Sequence, residues 1–363
     1  MFYESVPSPE TDPVHTPPEA GLDADARRGR LLAAATDRIA SKRPLRVCYR
    51  QATDPHDLLG PQTMALFGFG NRALPRMDDP RYLRIGLQPA SDALYEVWES
   101  DCPVQVWRDG PVAGASDGRL SFGWLEEPEG AAGIRAAAEH AYQQFFEHLS
   151  SRPHRHPLRI WNYLDAITDG EGDDERYRQF CVGRAEGMQG HLDDFPAATA
   201  IGRRDGKRHL QLYWLAAAES GRPLENPRQV AAWRYPREYG PRSPSFARAM
   251  LPPAGAGLPL MLSGTAAVVG HRTRHVGDIA QQLEETLRNL DALLVEAQRH
   301  ASRIETAFGA TSPLKIYVRE ARDIAIVEAL LAKRLPAETP RLILHADICR
   351  RDLLVEIDGF HDA

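Results

Sequence analysis

The sequence predicts an α+β protein built from two consecutive repeats of one plan, in which mixed sheets are covered by helices. Three observations predict it. Strand-like runs and helices follow one another in the same order in residues 119–220 and again in 259–360. Each long helix carries a one-sided apolar stripe, and each repeat ends on two successive strand-like runs. Strands, long helix, strand, shorter helix and two strands make an α+β layer in which neither sheet face need be wet.

Residues 1–23 are rich in proline and acid, with Pro7, Pro9, Pro13, Pro17 and Pro18, and read as a mobile tail. A helix is expected next, with Leu31, Leu32, Ala35 and Ile39 on one face. Short strands with turns follow at Leu45–Arg50, Tyr82–Leu87, Ala93–Glu99 and Val104–Trp107. In the first repeat, Leu120–Leu125 reads as a strand, and Ile134, Ala138, Ala141, Phe145 and Leu149 mark the buried face of a helix. The strand Leu158–Leu164, a helix over Glu175–Met188 and the strands Pro196–Ile201 and Leu210–Leu215 complete it.

In the second repeat, Leu260–Val269 precedes a helix over Asp278–Arg299, whose Ile279, Leu283, Leu287, Leu290, Leu294 and Ala297 are spaced by 4, 4, 3, 4 and 3. Asp278, preceded by Gly277, suits its N-terminus. The strand Leu314–Arg319, a helix over Asp323–Leu335 and the strands Arg341–Ile348 and Leu353–Ile357 follow. Pro252 to Pro259 is a loop by composition. The expected division is a tail and helix over 1–44, a first lobe over 45–222 and a second, catalytic lobe over 223–363.

Composition narrows the function. The chain has 363 residues, 43% of them apolar, enough for a sizeable core. No run approaches the roughly 20 apolar residues of a membrane span, and Met-Phe-Tyr-Glu-Ser lacks a signal peptide's basic start, so a cytoplasmic protein is expected. The net charge of −6 with mixed signs gives no face for nucleic acid. Cys48, Cys102, Cys181 and Cys349 are too scattered for a zinc site or a disulfide scaffold. Arginine far outnumbers lysine, which supplies donors for bidentate carboxylate binding.

Several motifs dissolve on inspection. Gly114-Ala115-Ser116-Asp117-Gly118 has the spacing of a nucleophile elbow, but strand-like flanks on both sides make it a hairpin turn. Gly68-Phe69-Gly70 lacks the third glycine and the helix of a dinucleotide loop. His271 with His275, and His154 with His156, lack the carboxylate set of a zincin and read as loop or capping residues. The tract from Trp233 to Arg248 packs four aromatics and four arginines among prolines, the composition of a preorganised site for an anionic ring.

The last strand holds the sharpest signal. Pro196 to Tyr213 is 17 residues and Pro340 to Glu356 is 16, so Tyr213 and Glu356 fall at nearly equivalent places in the repeats. Glu356 interrupts Leu-Leu-Val-Glu-Ile. If both faces of that strand are covered, Glu356 is a desolvated acid of raised pKa; if one is wet, it is an outward glutamate, and the pattern leaves both open. Cys349 is equally double-valued. Arg350 beside it favours a thiolate, whereas burial makes it a small hydrophobe.

Taken together, Tyr235-Pro236 through Phe246, Ser263-Gly264-Thr265-Ala266, Gly270-His271, His275-x-Gly277-Asp278, Glu285-Thr286-x-x-Asn289 and the Cys349 to Glu356 strand pair are specific. Over about residues 45–360 the chain resembles the chorismatase family, chorismate-cleaving enzymes on the RidA/YjgF-like fold. It resembles in particular members that make 3-hydroxybenzoate, including bifunctional ones that also release 4-hydroxybenzoate. The resemblance implies pyruvate release from chorismate, with Glu356 as proton donor and Cys349 handling the ring before aromatisation. It implies Arg248, Arg319 and Arg341 as carboxylate ligands, Tyr213 and Tyr239 as ring or hydroxyl contacts, and Gly264 and Thr265 in a substrate-facing turn. No metal, organic cofactor, nucleic acid or membrane partner is expected. A RidA-type enamine or imine deaminase and a noncatalytic ligand-binding relative are the alternatives. The fused repeat opposes the first, and retention of Glu356 and Cys349 the second.

Overall fold

The computed structural model describes residues 1–2, 43–91, 94–192 and 194–361. The expected N-terminal tail and helix therefore lie almost entirely outside the described residues. In chain order the strands are β1 (Arg46–Gln51), β2 (Thr63–Phe69), β3 (Tyr82–Ile85), β4 (Gln88–Pro89), β5 (Leu94–Glu99), β6 (Gln105–Asp109), β7 (Val112–Ser116), β8 (Leu120–Pro128), β9 (His156–Asp165), β10 (Ala197–Arg203), β11 (His209–Ala217), β12 (Arg222–Leu224), β13 (Ala249–Leu251), β14 (Leu260–Ala266), β15 (Val268–Val269), β16 (Arg272–Thr273), β17 (Leu314–Val318), β18 (Arg341–His345), β19 (Asp347–Ile348) and β20 (Val355–His361). The helices are α1 (Gly133–Ser150), α2 (Arg176–Gly187), α3 (Ile279–His300) and α4 (Ile324–Arg334).

The repeat is visible in the strand order. One seven-stranded sheet runs β6-β7-β8-β11-β9-β10-β19 and the other β12-β13-β14-β20-β17-β18-β4. In each, the last long strand is inserted in the middle, and the strands on either side of the shorter helix are parallel, β9 with β10 and β17 with β18. A helix between two parallel neighbours is the crossover such a pair requires. The seventh place is filled by exchange: β19, from the second repeat, extends the first sheet, while β4, from the N-terminal region, extends the second. Pairing also places Tyr213 opposite Trp161 and Glu356 opposite Tyr317, so the two residues do occupy matching positions.

Local chemistry explains the elements. Asp278 caps α3 by accepting a hydrogen bond from the Gln281 N–H at 3.0 Å, and every member of the stripe from Ile279 to Ala297 is buried. Gly118, at φ 87°, turns the chain between the antiparallel strands β7 and β8, which makes the elbow-like glycine pair a hairpin. The strand β2 was hidden in the sequence because all seven of its residues are buried, and such a run shows no alternation. It joins β1, β3 and β5 in a four-stranded sheet of order β1-β5-β2-β3.

The helices cover the outer faces of the two large sheets. A third core lies among all three sheets, where Phe67, Trp98, Trp161, Tyr213, Met261 and Phe360 meet. Polar groups thread through it in matched pairs. Lys315 Nζ lies 3.0 Å from Glu96 and donates to Tyr213 at 2.9 Å, while Asp358 accepts from Arg159 at 3.2 Å, Trp161 Nε1 at 3.0 Å and Tyr317 at 3.1 Å. Burial alone would lower the Lys315 pKa, but Glu96 reverses the direction and keeps the ammonium charged. Charges this deep persist only when paired and hydrogen-bonded. Among the described residues no helix is long and apolar enough to cross a membrane.

Candidate active site

The site forms where the first sheet's β10 meets the second sheet's β14. Ser263 bridges them: its hydroxyl donates to Ala247 O at 2.6 Å and accepts from the Ala198 N–H at 2.9 Å. One residue on, the Gly264 N–H donates to Thr199 Oγ1 at 2.9 Å. The pairing of β14 with β20 slips between Leu262 and Thr265, a bulge that re-aims the strand at Gly264. The bulge makes room for an acid. A Cβ added to Gly264 would lie 1.9 Å from Glu356 Oε1, so only glycine leaves the carboxyl its place.

Glu356 is 5% exposed and borders a cavity of about 430 Å³, a size suited to a small metabolite. Among the described residues no hydrogen-bond donor meets its carboxyl. Burial raises its pKa to about 8, Asp358 two residues along the strand adds to the rise, and Arg159, Arg248 and Arg319 oppose it. The ambiguity of the sequence is thus resolved: both faces of β20 are covered, and the acid is neutral near pH 7.

The cavity walls are basic and aromatic. Arg178, Arg184, Arg248, Arg350 and Arg351 line it, together with Tyr177, Tyr235, Tyr239 and Phe246. The aromatic tract closes one side. Tyr235 OH accepts from Arg248 at 2.7 Å, and the Arg350 guanidinium lies 4.1 Å from the centre of the Tyr239 ring. Tyr239 OH meets His271 Nδ1 at 3.1 Å, which gives one of the motif histidines a partner inside this wall. Arg237 reaches across to Asp173 in the first repeat through contacts of 2.9 and 2.5 Å.

Cys349 follows β19 and lines the same cavity as Glu356. The thiolate favoured by Arg350 does not form. Burial pushes the thiol pKa well up, Glu356 adds to it, and Arg350 only partly offsets both, so the sulfur is a neutral thiol.

Of the residues expected at the site, Glu356, Cys349, Tyr239, Arg248 and Gly264 line the cavity. Four others do not. Tyr213 is sealed in the central core, stacked on Trp161 at 4.7 Å and bonded to Lys315, because the face that carries Glu356 in the second repeat is covered by the N-terminal sheet in the first. Thr265 points to the opposite face of β14 from Gly264 and Ala266, with its hydroxyl on Ser263 O at 3.0 Å. Arg319 spends its donors on Leu353 O, Asp347, Ile348 O and Arg350 O, and so fixes the turn that carries Cys349. Arg341 is level with Leu314, itself level with Gly359, three residues beyond Glu356 and two strands away, and borders a separate depression with Ala329. Arg184, Thr199 and Tyr177 line the cavity without having been marked by any motif.

The site can therefore bind an anionic ring between arginines and aromatics while a neutral carboxylic acid reaches it from the floor. Known proteins match the chain over most of its length. A family model described as chorismatase FkbO/Hyg5-like, N-terminal, matches residues 96–216. A chorismatase of Streptomyces rapamycinicus is 38% identical over 281 residues, 74% of this chain and 82% of the relative. A 3-hydroxybenzoate synthase of Streptomyces hygroscopicus is 36% identical over 283 residues, 75% of this chain and 82% of the relative. A crystal structure of a chorismatase superposes with a TM-score of 0.78 at 32% identity, covering 88% of this chain and 98% of that one. With these matches spanning both repeats and the cavity between them, the chain belongs to the chorismatase family.

Proposed function

We propose that this protein cleaves the enolpyruvyl ether of chorismate to pyruvate and 3-hydroxybenzoate, with Glu356 as the acid. The observation that carries the assignment is the neutral, unpartnered carboxyl at the floor of an arginine-lined cavity, in a chain whose relatives are named for this chemistry. Glu356 gives its proton to the ether's methylene carbon, and the cation that forms is an oxocarbenium ion. Water adds to that cation and returns a proton to Glu356. The hemiketal then expels the ring oxygen, and pyruvate leaves. General acid catalysis of this kind requires an acid whose pKa lies near the working pH.

The diol that remains loses its other hydroxyl, with the hydrogen of the carbon that keeps its oxygen, as water. The ring becomes aromatic as 3-hydroxybenzoate, and the water taken up earlier is returned. Chorismate and the two products contain the same atoms, so no oxidant or reductant enters. Cys349, a neutral thiol beside the acid, acts at this ring stage. Where the ring's own C–O bond to the ether breaks instead, the hydroxyl is kept and 4-hydroxybenzoate forms as a second product.

In this reading the second lobe, residues 223–363, is catalytic and the first supplies the opposite wall. Arg248 binds a substrate carboxylate and Tyr239 flanks the ring. The reaction takes place in the cytoplasm, on a free small molecule, without metal or organic cofactor. The test is direct: purified protein is incubated with chorismate, with and without a chelator, and pyruvate and hydroxybenzoates are quantified. Pyruvate equal to the sum of 3- and 4-hydroxybenzoate, with 3-hydroxybenzoate present, is expected in both arms; the absence of pyruvate and 3-hydroxybenzoate overturns the reading.

A further inference from the structure

Arg184 stands apart from the other arginines of the cavity. Arg178 has Asp173 and Glu175 at 3.9 Å, Arg350 and Arg351 donate to backbone carbonyls, and Arg248 donates to Val230 O and Tyr235 OH. Arg184 has no hydrogen bond or ion pair through its guanidinium among the described residues, yet it is 4% exposed, and its Nε and one terminal nitrogen are sealed from solvent. Among the described residues only the face of Tyr142, 5.1 Å away, meets the charge. A ring face compensates a buried cation only in part, and an unpaired charge this deep is otherwise expelled or neutralised. A guanidinium cannot be neutralised by losing its proton. The remaining place for a counter-charge is the cavity that Arg184 lines.

The helix that carries it is built to aim it there. Tyr177, Cys181 and Arg184 are spaced by 4 and 3 on α2 and share one face, while Gly183 and Gly187 face α1. A Cβ at Gly183 would lie 1.9 Å from Arg135 O, so α2 is pressed onto α1 and its orientation is fixed. The charges are also divided between the two ends of the cavity. The Arg248 carbonyl accepts from the Ser263 N–H at 3.0 Å, one residue before the Gly264 that abuts Glu356, the end where the enolpyruvyl group must sit, whereas Arg184 stands on α2 against Tyr142 of α1.

Resting on chorismate as the substrate, we propose that Arg184 is the anchor of the ring carboxylate, leaving the enolpyruvyl carboxylate to Arg248. The ring carboxylate survives in 3-hydroxybenzoate, so the anchor holds product as well as substrate. Its charge does not change when the ether is protonated. Arg184 therefore contributes equally to ground state and transition state, which shows in KM and not in kcat.

The test binds 3-hydroxybenzoate and its uncharged analogue 3-hydroxybenzyl alcohol to wild type, Arg184→Gln and Arg184→Lys by calorimetry. Wild type should prefer the carboxylate. R184Q should weaken it by about 10- to 100-fold, the worth of a charge-assisted fork, and change the alcohol by less than about threefold. R184K, which keeps the charge and loses the fork, should fall between them. Chorismate kinetics should show KM raised by a similar factor in R184Q, with kcat within about threefold. Melting temperature reports folding, and R184Q should match or exceed wild type because an uncompensated buried cation has been removed. Wild-type carboxylate affinity and KM in a folded R184Q overturn the proposal alone. Wild-type protein that releases no pyruvate from chorismate overturns the chorismatase reading, and the proposal with it.

Discussion

Gly264 and Glu356 face each other on neighbouring strands so closely that a methyl group on the glycine would lie 1.9 Å from the acid's Oε1. The bulge in β14 and the carboxylate in β20 are two halves of one arrangement. Gly264→Ala should therefore displace Glu356 without unfolding the sheet. A loss of at least about tenfold in kcat with a melting temperature near wild type is expected for a misplaced catalytic group. Unchanged turnover would show that the acid has room to spare.

Glu356→Gln keeps the shape and removes the proton. Pyruvate release should fall by about 10²–10⁴-fold, the usual contribution of a general acid. Product binding, read with 3-hydroxybenzoate, should persist. A variant with more than about a tenth of wild-type turnover would remove Glu356 from its role.

The pH dependence follows from the raised pKa of about 8. The active form is protonated, so kcat/KM should hold through neutral pH and fall on the alkaline side with a midpoint near 8. Stability carries the same sign. The folded pKa lies above the ordinary 4.5, so the neutral acid's advantage is full below pH 4.5 and is lost as pH rises through 8. E356Q lacks this loss and should gain on wild type at alkaline pH, by up to a few kcal/mol. Parallel melting curves of both proteins between pH 6 and about 9 would contradict a buried ionisation.

Cys349→Ala separates the two stages. Ether protonation does not need the thiol, so chorismate consumption should stay within about tenfold while 3-hydroxybenzoate gives way to 4-hydroxybenzoate or a nonaromatic diol. Chromatography of the products decides it, and an unchanged ratio makes Cys349 a packing residue.

Arg319→Met should act on the fold. The guanidinium holds three backbone carbonyls and Asp347, so its loss leaves buried acceptors unpaired, at about 3–5 kcal/mol. A denaturation midpoint that does not move, with KM raised instead, would return Arg319 to the substrate.

The sequence made the repeat and its acid legible because both are local signals. The stripe of α3, the cap at Asp278 and the carboxylate within Leu-Leu-Val-Glu-Ile can be read from neighbours in the chain. The misplaced residues depend on distant partners. Tyr213 matches Glu356 by position, but its cover comes from the sheet of β1, β2, β3 and β5, and Lys315 meets Glu96 across 219 residues. Arg184 shares a helix with Arg176 and Arg178, and a cation aimed into a cavity has the same letter as one aimed at water. The resemblance puts Arg319 and Arg341 at the substrate, whereas hydrogen-bond accounting and strand register place them elsewhere.

The place of β20 in the second sheet sets the order in which the molecule can be completed. It is the last of the described strands to be synthesised, yet it lies between β14 and β17. Until residues 355–361 emerge, those two strands present facing edges with nothing to join them, a nascent state open to wrong pairing. The segment that closes this gap also brings Glu356 and Asp358. A partly made chain thus carries the arginines and aromatics of the cavity but not Glu356, and the acid proposed to attack the ether arrives in the same step that seals the sheet.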